Sequence, residues 1–429
     1  MKNLKLVIIP VLICLALLIV ALPFLSACGG GESTPATPTI QTGTLRVGIM
    51  TPHTGPAAEK GVPLRNGNLD CIEYINNELG GINGYMIEAI NLDSQYKADQ
   101  AVININQFMD GGCLFFTTSS STEMGYVKEI ANREGFPGLV CYSSPSNYHP
   151  PEHIYGQMPD YGDDWTAFTS YYLENIWEGT GTPKMALMLL NNPTGYGARD
   201  AARALAAQMG VEIVATEEHA STTLSEMEAL TRIKALNPDV IYISSTPKPA
   251  AIIIKEARDL GMYPDVTIGC CHAAMVKSLV DLGGADVVNG VYGVFPMVSW
   301  NEDVPGIAKM VEYVRLLHPE NENNGDYMAA WAQSLVIAEI LRNTLEAVGY
   351  DVLARGDAEA WAAIEEHGFK GLSGYDVGGL QSPVSYVSGD NRLGRSLRIY
   401  QVQDGILTAI TAWVESPVVR YEDFDWYGQ

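Results

Sequence analysis

The sequence predicts an α/β protein of two units, each a parallel sheet covered by helices on both faces. Three observations carry this. Short β-type runs alternate with helical patterns from Leu45 onward, the alternation restarts with a similar layout at Lys184, and no long linker separates the two halves. The 429 residues also exceed one small core and suggest about two domains. Repeated strand–helix–strand segments form right-handed βαβ units with parallel strands.

The elements follow in order. LRVGIM (45–50) is a short strand, and after the turn-rich TPHTGPAAEKG a helix runs from Pro63 to Leu79, stopped by Gly80 and Gly81. MIEAINLD (86–93) is a second strand. Ala98 to Met109 is a second helix, with Ala101, Val102, Ile105, Phe108 and Met109 on one face. CLFFTT is a third strand, Glu123 to Glu134 a third helix, and GLVCY (138–142) a fourth strand. In the second half KMALMLL (184–190), VEIVAT, DVIYISS (239–245) and VTIGCC read as strands. Helices are predicted over 198–209 and 249–260. A third follows a capping box of Ser225 and Glu228 and carries Met227, Leu230, Ile233 and Leu236.

Ligands of open parallel sheets sit beyond the carboxyl ends of the strands. At those ends this chain places TPHTG, SSST, YSSPS, NNPTGYG, SSTPK and GCCHA, all small polar or aromatic. The six hydroxyl residues 117–122 exceed what one helix cap requires. They precede a helix, whose free N–H groups and dipole favour an anion, so a carboxylate is the natural guest.

The formal charge is −24, from 26 basic and 50 acidic residues, with no basic run. Phosphate contacts need clustered Lys and Arg, so nucleic acid is not an expected partner. Lys2 and Lys5, an apolar stretch to Phe24, and LSAC at 25–28 read as a secretory signal over 1–27. LSAC resembles the lipobox of bacterial lipoproteins, which implies cleavage and a lipid on Cys28. Residues 28–43, rich in Gly, Ser, Thr and Pro, form a tether. The protein is expected outside the cytoplasm, anchored to the cell membrane by lipid. Cys71, Cys113, Cys141, Cys270 and Cys271 remain beyond Cys28. Their number is odd and their pairing open.

The chain resembles the leucine/isoleucine/valine-binding type of solute-binding protein from branched-chain amino-acid ABC transporters, over about 45–405. VGIMTPHTGPAAEKGVPLRNG, GGINGYMIEAINLD, SSST, YGARDAARAL, LNPDVIYIS, EARDLGM and VNGVYGVFP carry the likeness through their order and spacing. The resemblance implies a type I periplasmic-binding fold: two Rossmann-like lobes, a three-crossing hinge, and a cleft that closes on solute. The first lobe is then 44–161 and 296–375, the second 162–295 and 376–410, and 411–429 a C-terminal strap packing Trp426 and Tyr427 on the body.

The resemblance also implies roles. Ser119, with Ser120, bonds a solute carboxylate. Tyr142, Ser143 and Ser144 add backbone N–H groups and a hydroxyl, and Tyr196 touches the solute from the second lobe. Thr246 falls at a second cleft tyrosine and Cys271 at the glutamate that pairs with the ammonium. Tyr161 falls near a hinge aspartate, and Lys60 at an aromatic over the solute side chain. These departures leave the amine side open: Asp160, Asp163 or Asp164 can substitute, or the solute is an amine-free carboxylic acid, an amide or urea. Thr118 stands at a family cysteine, so the family disulfide is not expected.

The expected function is capture of a small carboxylate-bearing solute, a branched-chain or related amino acid, by a monomer that delivers it to an ABC permease. A sensor is the nearest alternative. No cofactor is expected. Adjacent Cys270, Cys271 and His272 lack the chelating spacing of a zinc site. Without a nucleophile elbow or HExxH, a hydrolase is a distant alternative.

Overall fold

The computed structural model describes residues 41–427; the signal segment and Cys28 lie outside the described residues. In the first sheet, β1 (Thr44–Thr51), β2 (Met86–Asp93), β3 (Phe116–Ser120), β4 (Gly138–Tyr142) and β5 (Ile154–Gly156) are parallel, in the order β2-β1-β3-β4-β5. Helices α1 (Ala58–Asn77), α2 (Ala98–Asp110) and α3 (Ser121–Glu134) connect them. Both faces are covered. Val47 and Ile49 of β1 lie in one core layer, while Met50 and Phe108 of α2 lie in the other.

The second sheet follows α4 (Tyr161–Asn175). It contains β6 (Lys184–Leu190), β7 (Glu212–His219), β8 (Val240–Ser244), β9 (Thr267–Cys270) and β10 (Tyr292–Phe295). Helices α5 (Pro193–Met209), α6 (Met227–Ala235), α7 (Pro247–Asp259), α8 (Lys277–Gly283) and α9 (Ala285–Val288) lie between them. These strands are mutually parallel. The chain then returns to the first unit as α10 (Pro305–Leu317) and α11 (Gly325–Val348), which pack on α1. A Cβ on Gly67 of α1 would stand 2.3 Å from the Tyr327 carbonyl oxygen of α11, so only glycine permits this approach.

A last passage forms β11 (Ser396–Gln403), β12 (Ile406–Ala409) and β13 (Val414–Glu415), all antiparallel additions to the second sheet. The chain thus passes between the sheets three times. Before the last passage, residues 391–393 lie along β5: Gly156 N–H donates to Asn391 O, and Leu393 N–H to Gly156 O. These bonds extend the first unit beyond the expected changeover at 375.

The α6 cap differs from expectation. Ser225 Oγ donates to Glu256 Oε1 of α7 at 2.6 Å, and Glu226 N–H donates to Glu256 Oε2 at 2.6 Å. A carboxylate from the neighbouring helix does the capping, and Glu228 is not the partner. Helix α5 starts at Pro193, five residues before the expected 198, because Asn192 caps it through Thr194 N–H at 2.9 Å.

Candidate functional site

The carboxyl ends of both sheets face each other, and their side chains meet in a buried polar group. At the first sheet, β3 runs directly into α3 and brings Ser119 and Ser120 to the helix start. Their partner is Glu123. Ser119 Oγ and Ser94 Oγ donate to its carboxylate in close hydrogen bonds, and Ser120 Oγ donates to Oε2 at 3.1 Å. Ser94 reaches it from the loop after β2, where Gln95 and Tyr96 hold φ of 51° and 57°. Two successive left-handed residues are costly and occur where surrounding structure imposes them. Glu123 is fully buried. Burial pushes its carboxyl up to about 7, against the pull of the three serine hydroxyls.

Lys60, in the first turn of α1, reaches across the cleft. Its Nζ lies 2.7 Å from Asp326 Oδ1 at the start of α11 and donates to Ala273 O of the second unit at 3.1 Å. It also stands 4.5 Å from the centre of the Tyr142 ring. Tyr142 OH donates to Asp326 Oδ1 at 2.6 Å. Burial and then the Asp326 charge hold this phenol well above its ordinary value.

His272 completes the group from the second unit. Its backbone N–H donates to Asp164 Oδ2 at 2.9 Å, and its Nδ1 lies 2.9 Å from Asp164 Oδ1. The ring is stacked between Tyr161 and Tyr142, with centroids 4.6 and 5.1 Å away. His272 Nε2 and Asp326 Oδ2 are buried and have no hydrogen-bond partner among the described residues.

The remaining predicted residues lie as follows. Cys271 Sγ donates to Ser245 O at 3.3 Å, and burial with the nearby Asp164 charge pushes the thiol up to about 11. Ser144 N–H donates to Asn147 Oδ1 at 2.9 Å, and Ser143 Oγ lies 3.4 Å from Tyr148 OH. A Cβ on Gly197 of α5 would touch Ser144 Oγ and Tyr161, so these two line the contact between units. Tyr196 lies under the Arg199 guanidinium at 4.3 Å, and half-buried Thr246 occupies the N-cap position of α7. Of the three candidate acids, Asp160 caps α4 and accepts from Tyr148 OH at 2.7 Å, and Asp163 pairs with Arg392 at 2.5 Å. Asp164 holds His272. Among the described residues no group of three or more His, Cys, Asp and Glu is placed to hold a metal.

Sequence reasoning missed Glu123, Asp326, Asp164's partner His272, and Ser94. The S-x-x-E spacing from Ser120 to Glu123 was a signal for the first. Nothing local pairs Lys60 with Asp326, which is 266 residues away.

Two parallel-sheet lobes with facing polar strand ends define a two-lobed receptor of the type I periplasmic-binding fold. Residues 44–406 match the periplasmic binding protein family, and the chain belongs to that family, whose members bind solutes outside the cytoplasm and are not enzymes. An amino acid binding protein of Pseudomonas aeruginosa is 25% identical over 305 residues, 68% of this chain and 77% of the relative. A branched-chain amino acid ABC transporter structure from Thermus thermophilus with bound valine has a TM-score of 0.77 at 19% identity, covering 88% of this chain and 97% of that one. A fatty acid ABC transporter substrate-binding protein from Thermomonospora curvata has a TM-score of 0.75 at 19% identity, covering 88% and 94%. At such identity the likeness establishes the fold, and these two neighbours are named for different solutes.

Proposed function

We propose that this protein is the extracytoplasmic receptor of an ABC importer, closing on a small polar solute of the amino-acid class and delivering it to a permease. A lipid on Cys28 holds it at the membrane. The observation that carries the reading is the buried polar group contributed by both lobes: Lys60, Asp326 and Tyr142 from one, His272 and Asp164 from the other. Solute held between such groups stabilises the closed form, because it bonds to both lobes at once.

A second reading, an amine-free acid or an amide, is favoured by one feature. Cys271 is bonded to Ser245 O and brings no charge to an ammonium.

Thermal unfolding with a panel of amino acids, amine-free acids, amides and urea tests the function. A solute at 100 times its Kd should stabilise the protein by about 2.7 kcal/mol. No shift with any member of the panel argues against a small-solute receptor. Mass spectrometry of the mature N-terminus tests the anchor: diacylglycerol on Cys28 is expected, and Cys28→Ala should release the protein from membranes.

A further inference from the structure

The hydroxyl run that invites a carboxylate already holds one. Glu123 folds back from the first turn of α3 and accepts from Ser94, Ser119 and Ser120, while its own N–H donates to Ser120 Oγ at 3.3 Å. A capping glutamate on a surface helix is solvated, but this one is fully buried at the ligand-facing end of the sheet.

A hydroxyl carries one proton. Ser94 and Ser119 commit theirs to Glu123, so Ser119 offers an incoming group only lone pairs. A second carboxylate at this end meets acceptors and a buried carboxyl, and two such groups cannot both ionise cheaply. An N–H group meets acceptors with a carboxylate behind them. Asp326 Oδ2, buried without a hydrogen-bond partner among the described residues, is a further acceptor on the first lobe.

We propose that Glu123 is a specificity-determining residue that occupies the Ser94, Ser119 and Ser120 hydroxyls and makes the α3 end of the cleft select N–H donors. The solute presents an amide, urea or ammonium group there, and any carboxylate it carries lies elsewhere. This deepens the solute-receptor reading and rests on it.

The test uses acid and amide pairs sharing one carbon skeleton: propionate and propionamide, isovalerate and isovaleramide, leucine and leucinamide. Each is titrated against the wild type, Glu123→Ala and Glu123→Gln by calorimetry, with thermal unfolding as a check on folding. The wild type should favour amides by about tenfold or more. Glu123→Ala frees the hydroxyls and should bind acids about tenfold more tightly than the wild type does. Glu123→Gln keeps the volume and replaces an acceptor with N–H donors, so its amide preference should disappear. A wild type that favours acids overturns the proposal. So does a cooperatively melting Glu123→Ala protein with no gain for acids. If Glu123→Ala does not fold, a Glu123→Gln protein that keeps the amide preference overturns it. A wild type that answers to neither member of any pair fails the solute-receptor reading, and the acid response of Glu123→Ala then decides the inference alone.

Discussion

Lys60 Nζ lies 2.7 Å from Asp326 Oδ1 and 3.1 Å from the Ala273 carbonyl oxygen, so one side chain ties two helix starts of the first lobe to the second lobe. Asp326 is fully buried and Lys60 nearly so. Removing one partner of a buried ion pair leaves an uncompensated charge, which costs about 3–5 kcal/mol. Lys60→Met should therefore destabilise the protein by that order in denaturant unfolding. Adding Asp326→Asn should recover most of the loss. Additive losses in the double variant would mean that the pair is not coupled.

Asp164 accepts both the backbone N–H and the ring of His272. Asp164→Ala strands a buried donor, at a cost of about 1–3 kcal/mol, and frees the ring from its place between Tyr161 and Tyr142. Solute affinity should fall with it. Asp164→Asn keeps an acceptor and should lose less of both. Equal effects of the two variants on unfolding and titration would remove the hydrogen bond as the cause.

The Glu123 carboxyl, raised by burial to about 7, gives a signed pH dependence. An unfolded glutamate releases its proton near pH ~4.3. Between these values the folded form holds a proton that the unfolded chain has lost. The contribution is complete below the unfolded value and disappears as pH rises through the folded one. The stability of the wild type minus that of Glu123→Gln should fall by about 1.4 kcal/mol per pH unit across that window, then level off. Tyr96 and Tyr126, whose phenols are raised, stay neutral throughout it. A difference that does not change with pH would mean the carboxyl is solvated.

The C-terminal segment spans both lobes. β13 pairs with β11, Ser416 Oγ donates to Asp163 at 2.8 Å, Tyr421 packs 5.4 Å from the His149 ring, and the Arg203 guanidinium covers Trp426 at 4.1 Å. Tyr421 is buried against Gly162. Tyr421→Ala should cost about 3–5 kcal/mol by the usual arithmetic of large aromatic deletions. A loss below about 1 kcal/mol in denaturant unfolding would show the segment to be loosely held.

What the sequence disclosed follows the range of the interactions. The spans of β2, β4 and β6 match the expected strands residue for residue, because buried parallel strands are continuous apolar runs between turn signals. Helix α11 was not singled out. It is buried almost all round, so it lacks the polar stripe that marks a surface helix. β11 and β12 were missed because antiparallel strands added to a parallel sheet break the alternating rhythm. At the candidate site, strand ends pointed to loops whose polar side chains are buried together, yet hydroxyl partners were not readable. Whether Ser119 faces a solute or Glu123 depends on side-chain direction, not composition. The cap of α6 failed for the same reason, since Glu256 competes from another helix.

All five described cysteines are free and buried, and burial raises each thiol above its ordinary value. Kept protonated and out of reach, they are inert while the chain is folded. Outside the cytoplasm the surroundings are oxidising. Each full unfolding event then presents five reactive sulfurs with no native pairing to direct them, and a wrong crosslink blocks the way back. The working lifetime of this receptor is therefore set by how rarely it opens, a matter of unfolding rate and not of the folding equilibrium.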